Sequence, residues 1–292
     1  MPKKHPTPKP KVPPDRIVEA KLAPSIKREK VKIGLATMFL PRGELCHLEE
    51  WMNYHVGLGI KNFWLWDDGH VSRDNQYRDA NKRIWGKKPW ANYSTGLNDE
   101  QVDQKIQEIV KRVRAQAVEI EYRKVSDYPG IYRVASVGRR QGELINLTSL
   151  LAEKKQLDWF GFFDVDELIL GNLEVLRDYE KPIAVSLQML MNDRWSKSGA
   201  PISYSKLTVG HGVYSRASKA YVKSGFIGAW NSPHFPMNSA ALREKLEPAD
   251  LMHLHFRGNF ILNSSGQKKK YVDVKKRFCS TNMWPLSRRK SA

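Results

Sequence analysis

The sequence predicts an α/β fold: one mostly parallel central sheet flanked by helices. Three observations carry this reading. Short β-rich apolar runs alternate with helically periodic runs through residues 31–166, the pattern of parallel strands joined by crossover helices. The run Leu157-Asp-Trp-Phe-Gly-Phe-Phe163 is apolar on both parities, as a strand covered on both faces must be. Two runs end in acids, Asp67-Asp68 and Asp164-Val165-Asp166, at the carboxyl ends of strands where such sheets bind ligands.

Taken in order, residues 31–39 form the first strand, broken at Pro41-Arg42-Gly43. Glu44 to Leu58 places Leu45, Leu48, Met52 and Val56 at helical spacing, with acids early, and reads as a helix ended by Gly57 and Gly59. Residues 60–66 are a second strand closed by Asp67-Asp68-Gly69, and 70–98 is polar and irregular. Residues 99–117 make a helix with Val102, Ile106, Ile109 and Val113 on one face, and 118–125 a strand. Residues 138–155 make a helix with Leu144, Leu147 and Leu151 inward, followed by the strand 157–163. Strand-like pieces at 182–190, 206–214 and 219–229, a short helix near 239–246 and a last strand at 250–256 complete the chain.

The chain has 292 residues, with 49 Lys+Arg against 31 Asp+Glu and a net charge of +18. Most of that charge lies in the ends. Residues 1–32 hold ten Lys/Arg and three acids, and residues 266–292 nine Lys/Arg and one acid, so 7 + 8 = 15 of the 18 charges are terminal. Seven of the 16 prolines also fall in the first 32 residues. The expected organisation is a basic, Pro-rich arm (1–30), one domain (31–262) and a basic tail (263–292). No specific nucleic-acid partner is expected, because a nucleic-acid enzyme carries its basic stripe on the folded surface. The tails suit an anionic membrane face, at about 1 kcal/mol per basic residue near the surface, or an acidic partner. Two cysteines exclude a disulfide scaffold and a Cys-rich zinc site. No run reaches a membrane span and no apolar leader opens the chain, so the expected location is cytoplasmic, with at most peripheral membrane contact. Neither a P-loop nor a Gly-x-Gly-x-x-Gly fingerprint is present.

In an extended or tightly turned segment, Asp164 and Asp166 direct both carboxylates to one side. Their repulsion is relieved by a hard divalent cation, Mn²⁺ or Mg²⁺, which shares oxygen ligands with substrate phosphates. Such a cation stabilises charge building on a departing nucleoside diphosphate.

Several segments together resemble a known family. Glu50-Trp51-x-x-Tyr54-His55-x-x-x-Gly59 precedes a strand ending in Asp67; Arg139-Arg140-Gln141 lies on a later helix; and Trp159-Phe-Gly-Phe-Phe163 runs into Asp164-Val165-Asp166-Glu167. Lys219-x-x-Val222-Lys223, His234 and His253-Leu-His255-Phe256-Arg257 follow. In this order and spacing they resemble GT-A glycosyltransferases of the family 92 group and its bacterial and viral family-2-like relatives, over roughly residues 31–258.

The resemblance implies a single GT-A, Rossmann-like domain, a nucleotide-sugar donor (UDP favoured over GDP), a glycan or other hydroxyl acceptor, and Mn²⁺ or Mg²⁺. The metal would fall to Asp164, Asp166 and His255, with His253, on the same strand face, as backup. Donor contacts would come from Thr37 at the end of the first strand, Asp67, Asp68, Arg139, Arg140, Gln141, Asp164 and Val165. Trp51, Tyr54 and His55 read as a fold signature. The relatives are mostly inverting, and an inverting enzyme needs a base for the acceptor hydroxyl; Asp193 and Glu244 are the candidates. The absence of an anchor fits a bacterial or viral enzyme. Two other classes use the same features: a nuclease-like phosphoryl-transfer enzyme, whose second acidic cluster would be Asp67-Asp68 if the two strands were neighbours, and a non-enzymatic binding module anchored by its tails.

Overall fold

The computed structural model describes residues 30–69, 97–134, 136–191, 211–230, 234, 240–248, 250–256 and 271–273. The chain divides between Lys30 and Val31, and all secondary structure described lies in the second unit. In order come β1 (Ile33–Phe39), α1 (Pro41–Gly57), β2 (Asn62–Asp67), α2 (Asp99–Arg114), β3 (Glu119–Lys124), the single turn α3 (Pro129–Tyr132), α4 (Val137–Lys154), β4 (Trp159–Phe162) and β5 (Glu167–Gly171). There follow β6 (Ile183–Met191), β7 (His211–Lys223), β8 (Arg243–Lys245), β9 (Leu251–Phe256) and β10 (Tyr271–Asp273).

The sheet runs β3-β2-β1-β4-β7-β6-β9-β5, with β10 paired to β7 and β8 to β6. Its first half is parallel: β1 pairs with β2 and β4, and β2 with β3. Its second half is mixed. β7 runs antiparallel to β4, β6 and β10, and β5 antiparallel to β9, while β8 and β9 run parallel to β6. The parallel order expected from residues 31–166 is therefore present, within a sheet that is mixed overall.

Helices cover both faces. Leu48, Trp51 and Met52 of α1 and Val102, Ile106 and Val113 of α2 pack with Leu35 and Phe39 on one side; Leu144 and Ile145 of α4 pack with Trp64, Trp66, Phe160 and Phe162 on the other. The start of α2 is fixed by a capping box: Asn98 Oδ1 accepts from the Gln101 N–H at 2.9 Å and Gln101 Oε1 from the Asn98 N–H at 2.8 Å. α4 approaches the 228–230 segment closely at Gly142, where a Cβ would lie 2.6 Å from that of Trp230. Trp230 is core here, donating its indole N–H to Asn146.

Only four residues, 163–166, lie between the end of β4 and the start of β5, yet β7, β6 and β9 lie between them in the sheet. Four flat inter-strand steps are about 19 Å, more than the five residue-to-residue steps from Phe162 to Glu167 span at about 3.3–3.6 Å each. The sheet therefore curls, bringing β5 back over the face that carries α1.

α1 holds β5 there through side chains. The Trp51 indole N–H donates to the Glu167 carbonyl (2.9 Å) and the Tyr54 hydroxyl to the Ile169 carbonyl (2.7 Å). His55 Nδ1 lies 2.8 Å from the Trp51 carbonyl, and its Nε2 accepts from the Ile169 N–H at 3.3 Å. Both contacts are made by the neutral imidazole with its proton on Nδ1. Burial drives the His55 pKa down to about 3, the bond to Trp51 opposing this only in part. Because the folded-state pKa lies below the unfolded value of about 6.5, this contribution to stability is complete above pH 6.5 and is lost as pH falls towards 3. Lowering the pH from 6.5 to 5 is expected to cost the wild type about 2 kcal/mol more than His55→Gln, read from urea midpoints of both proteins.

Elsewhere the expected elements shift. The pieces read as 206–214 and 219–229 meet, where described, in the one strand β7, which ends at Lys223 so that 224–229 are not strand; its partner has a register shift between Leu187 and Met189. The helix expected near 239–246 is a 3₁₀ turn at Ala240–Leu242 followed by β8, because Arg243–Lys245 pairs with β6. β5, α3 and β10 had no counterpart in the sequence reading. Among the described residues no helix is long and apolar enough to cross a membrane.

Candidate active site

The acids after β4 sit in a closed turn. The Phe163 N–H donates to the Ala36 carbonyl, tying the strand exit to β1. The Glu167 N–H donates to the Asp164 carbonyl at 2.9 Å, and the Asp164 N–H to Glu167 Oε2 at 3.0 Å. Val165, expected among the donor contacts, turns its side chain into the core. The side chain of Asp164 is 29% exposed and that of Asp166 12%, so both retain an outward edge.

Beneath them lies a buried charge network. Lys219 of β7 places Nζ 2.9 Å from Asp164 Oδ2 and 3.0 Å from Glu167 Oε2. Gln141 of α4 donates to Asp164 Oδ1 at 3.2 Å. His255 lies opposite Glu167 in the β5–β9 register; its Nδ1 is 3.2 Å from Glu167 Oε1 and its Nε2 3.4 Å from Asp166 Oδ2. Burial raises the Glu167 carboxyl above its ordinary range, with Lys219 and His255 pulling it back. The three donors that meet it (the Asp164 N–H, Lys219 and His255) are those of a carboxylate. Burial alone would lower the pKa of Lys219, but Asp164 and Glu167 overcome it and hold the ammonium above the ordinary lysine value.

With Nδ1–H donated to Glu167, the neutral ring of His255 has its Nε2 lone pair facing Asp166 Oδ2, whereas the imidazolium donates to both carboxylates. Two acceptors 3.4 Å apart are held together by a proton or by a cation bound to both. A carboxylate behind a ligating imidazole is the usual support for a metal. Asp166 and His255 thus fit as two adjacent ligands. Asp164, expected as a third, directs its oxygens to Lys219 and Gln141 instead. Among the described residues no group of three or more His, Cys, Asp or Glu forms a metal cage. A cation here would complete its shell from phosphate oxygens and water, as Mg²⁺ commonly does.

Other expected donor contacts are engaged within the protein. Asp68 and Arg140 close on each other, with Nε at 3.1 Å and Nη2 at 2.6 Å from the two carboxylate oxygens, so Arg140 does not face a donor. Asp67 is buried; its Oδ1 accepts from the Gly69 N–H at 2.7 Å and its Oδ2 from the Tyr122 hydroxyl. Thr37 lies within β1 opposite Leu65, two residues before the strand ends, and is fully buried. Arg139 is exposed at the start of α4. His253, the backup ligand, is buried with its Nδ1 2.8 Å from Ser186 Oγ and its pKa driven well down by burial.

Of the candidate bases, Asp193 lies outside the described residues. Glu244 pairs opposite Ala184 and His255 opposite Leu190. That separation along β6 is about 20 Å at 3.3 Å per residue, so Glu244 is not part of the cluster. β1 lies between β2 and β4, so the neighbouring strands that a second acidic cluster at Asp67-Asp68 required are not present.

Two members of the network, Glu167 and Lys219, stand in the segments that carry the family resemblance but were assigned no role from sequence. Both carry a signal: a charged residue within an apolar strand, Glu167 opening Glu-Leu-Ile-Leu and Lys219 preceding Ala-Tyr-Val.

No family model matches the chain, and no curated protein matches it. Among solved structures, the inositol-1-phosphate CTP transferase from T. maritima aligns over 90% of this chain and 100% of its own, at 11% identity and a TM-score of 0.27. A likeness this distant carries no conclusion about function.

Proposed function

We propose that the protein is a metal-dependent glycosyltransferase of GT-A type, moving a sugar from a UDP-linked donor to a glycan or other hydroxyl acceptor with inversion. The observation that supports this most is the facing of Asp166 and His255 Nε2, with Glu167 behind the imidazole, at the carboxyl end of a buried parallel strand. Asp166 and His255 would hold Mn²⁺ or Mg²⁺, which supplies charge stabilisation for the departing nucleoside diphosphate. Asp164, held by Gln141 and Lys219, accepts hydrogen bonds from the donor on its outward edge. An inverting reaction also needs a carboxylate to take the acceptor proton; with Glu244 remote along β6, Asp193 is the candidate retained.

Thermal unfolding with UDP and GDP, each with and without Mn²⁺, tests the proposal. At 100 times its dissociation constant, a ligand specific for the folded state adds about 2.7 kcal/mol. A shift with UDP that requires Mn²⁺ and disappears in Asp164→Ala/Asp166→Ala is expected. No shift with either nucleotide would overturn the proposal.

A further inference from the structure

Resting on the transferase reading, we infer that Lys219 is a positioning residue for the donor, acting through Asp164. Its side chain is 1% exposed, so it does not touch a ligand itself. What it does touch is the partly exposed Asp164, through Oδ2, while Gln141 holds Oδ1. A carboxylate gripped at both oxygens by donors from two different elements, β7 and α4, has its torsions fixed. Its remaining lone pairs then point outward in one direction before any donor arrives, and such preorganisation strengthens binding by sparing the ordering that binding otherwise costs.

A purely structural role accounts poorly for the residue. Glu167 already accepts from the Asp164 N–H and faces His255. A buried ammonium is costly to desolvate, and Lys219 reaches past Glu167 to the partly exposed Asp164. The neighbours of Lys219 along β7, Ala220, Tyr221 and Val222, are apolar core residues. The ammonium there spans a wholly buried carboxylate, Glu167, and a partly exposed one, Asp164.

The test is a double-mutant cycle on the full chain. Affinity for UDP with Mn²⁺ is measured by calorimetry for wild type, Asp164→Asn, Lys219→Met and the double variant, with circular dichroism to confirm folding. Each single change is expected to weaken binding about tenfold or more, the worth of a charge-assisted hydrogen bond. In the Asp164→Asn background Lys219→Met should cost almost nothing further. Losses that simply multiply would overturn the inference, because Lys219 would then affect binding by a route that does not pass through Asp164. If Lys219→Met does not fold, Lys219→Gln carries the cycle. If wild type binds no nucleotide, the transferase reading falls separately. The inference is then read from a crystal structure of the Lys219 variant: Asp164 should have left Gln141, and an unmoved carboxylate would overturn it.

Discussion

Replacing Arg140 by Met is expected to destabilise the protein by about 3–5 kcal/mol, the usual result of removing one partner from a buried ion pair. The Arg140 side chain is fully buried and that of Asp68 nearly so. Three of the guanidinium's donors are used, two on Asp68 and one on the Val134 carbonyl at 2.7 Å. Without the guanidinium, Asp68 is left as a desolvated carboxylate at the end of β2. The charge, more than the lost packing, sets the size of the effect, and a second substitution separates the two. Asp68→Leu in the Arg140→Met background should recover most of the loss, because the unpaired charge has gone. Urea denaturation of the three proteins reads this directly. A loss below about 1 kcal/mol in the single variant would place water on Asp68 and contradict the burial described.

Trp51→Ala should cost about as much, 3–5 kcal/mol by the general scale for large aromatic deletions. The indole is fully buried between α1 and the sheet, edge-on to His55 at 4.8 Å and to Phe63 at 6.0 Å between ring centres. It also satisfies the carbonyl of Glu167, the residue at the centre of the charge network. Trp51→Phe keeps most of the volume and drops the N–H; about 1–3 kcal/mol is expected for that buried carbonyl. Equal losses for Ala and Phe, again from urea denaturation, would show that the hydrogen bond dominates and the cavity does not.

The α/β class and the strands and helices of residues 31–163, the single turn α3 excepted, were legible because their signals are local: period-2 and period-3.6 apolar patterns, breakers and caps. The acid turn was legible for the same reason, as acids closing an apolar strand. Beyond it, legibility fell. β5 begins inside the acidic motif and is only five residues long, so its apolar run reads as a continuation of a loop. Arg243–Lys245 has no apolar residue to reveal it as a strand; its pairing with β6 makes it one. Within the site, the meeting of Asp166 and His255 follows from an antiparallel register between segments nearly ninety residues apart, which the sequence suggests only through the family resemblance. The engagement of Asp68 with Arg140, and of Asp67 with Tyr122, depends on three-dimensional neighbours with no sequence spacing to signal them. Lys219 was hidden by its own chemistry, since a lysine in a strand ordinarily reads as a solvent-facing residue.

The hold of α1 on β5 has a consequence for how copies of this protein behave towards one another. β5 ends the sheet and consists of Glu-Leu-Ile-Leu-Gly. A bare edge of that composition is a template on which a second chain can add a strand and so begin aggregation. Here the two carbonyls and the N–H most in need of a partner strand are taken by Trp51, Tyr54 and His55. Three side chains of a helix thus imitate the backbone of a strand that is not there. The opposite edge, β3, is guarded by other means, its sequence Glu-Ile-Glu-Tyr-Arg-Lys being largely charged. The aromatic triplet of the first helix is therefore also a safeguard of colloidal stability: it lets a rolled sheet end on an apolar strand without inviting another molecule to extend it.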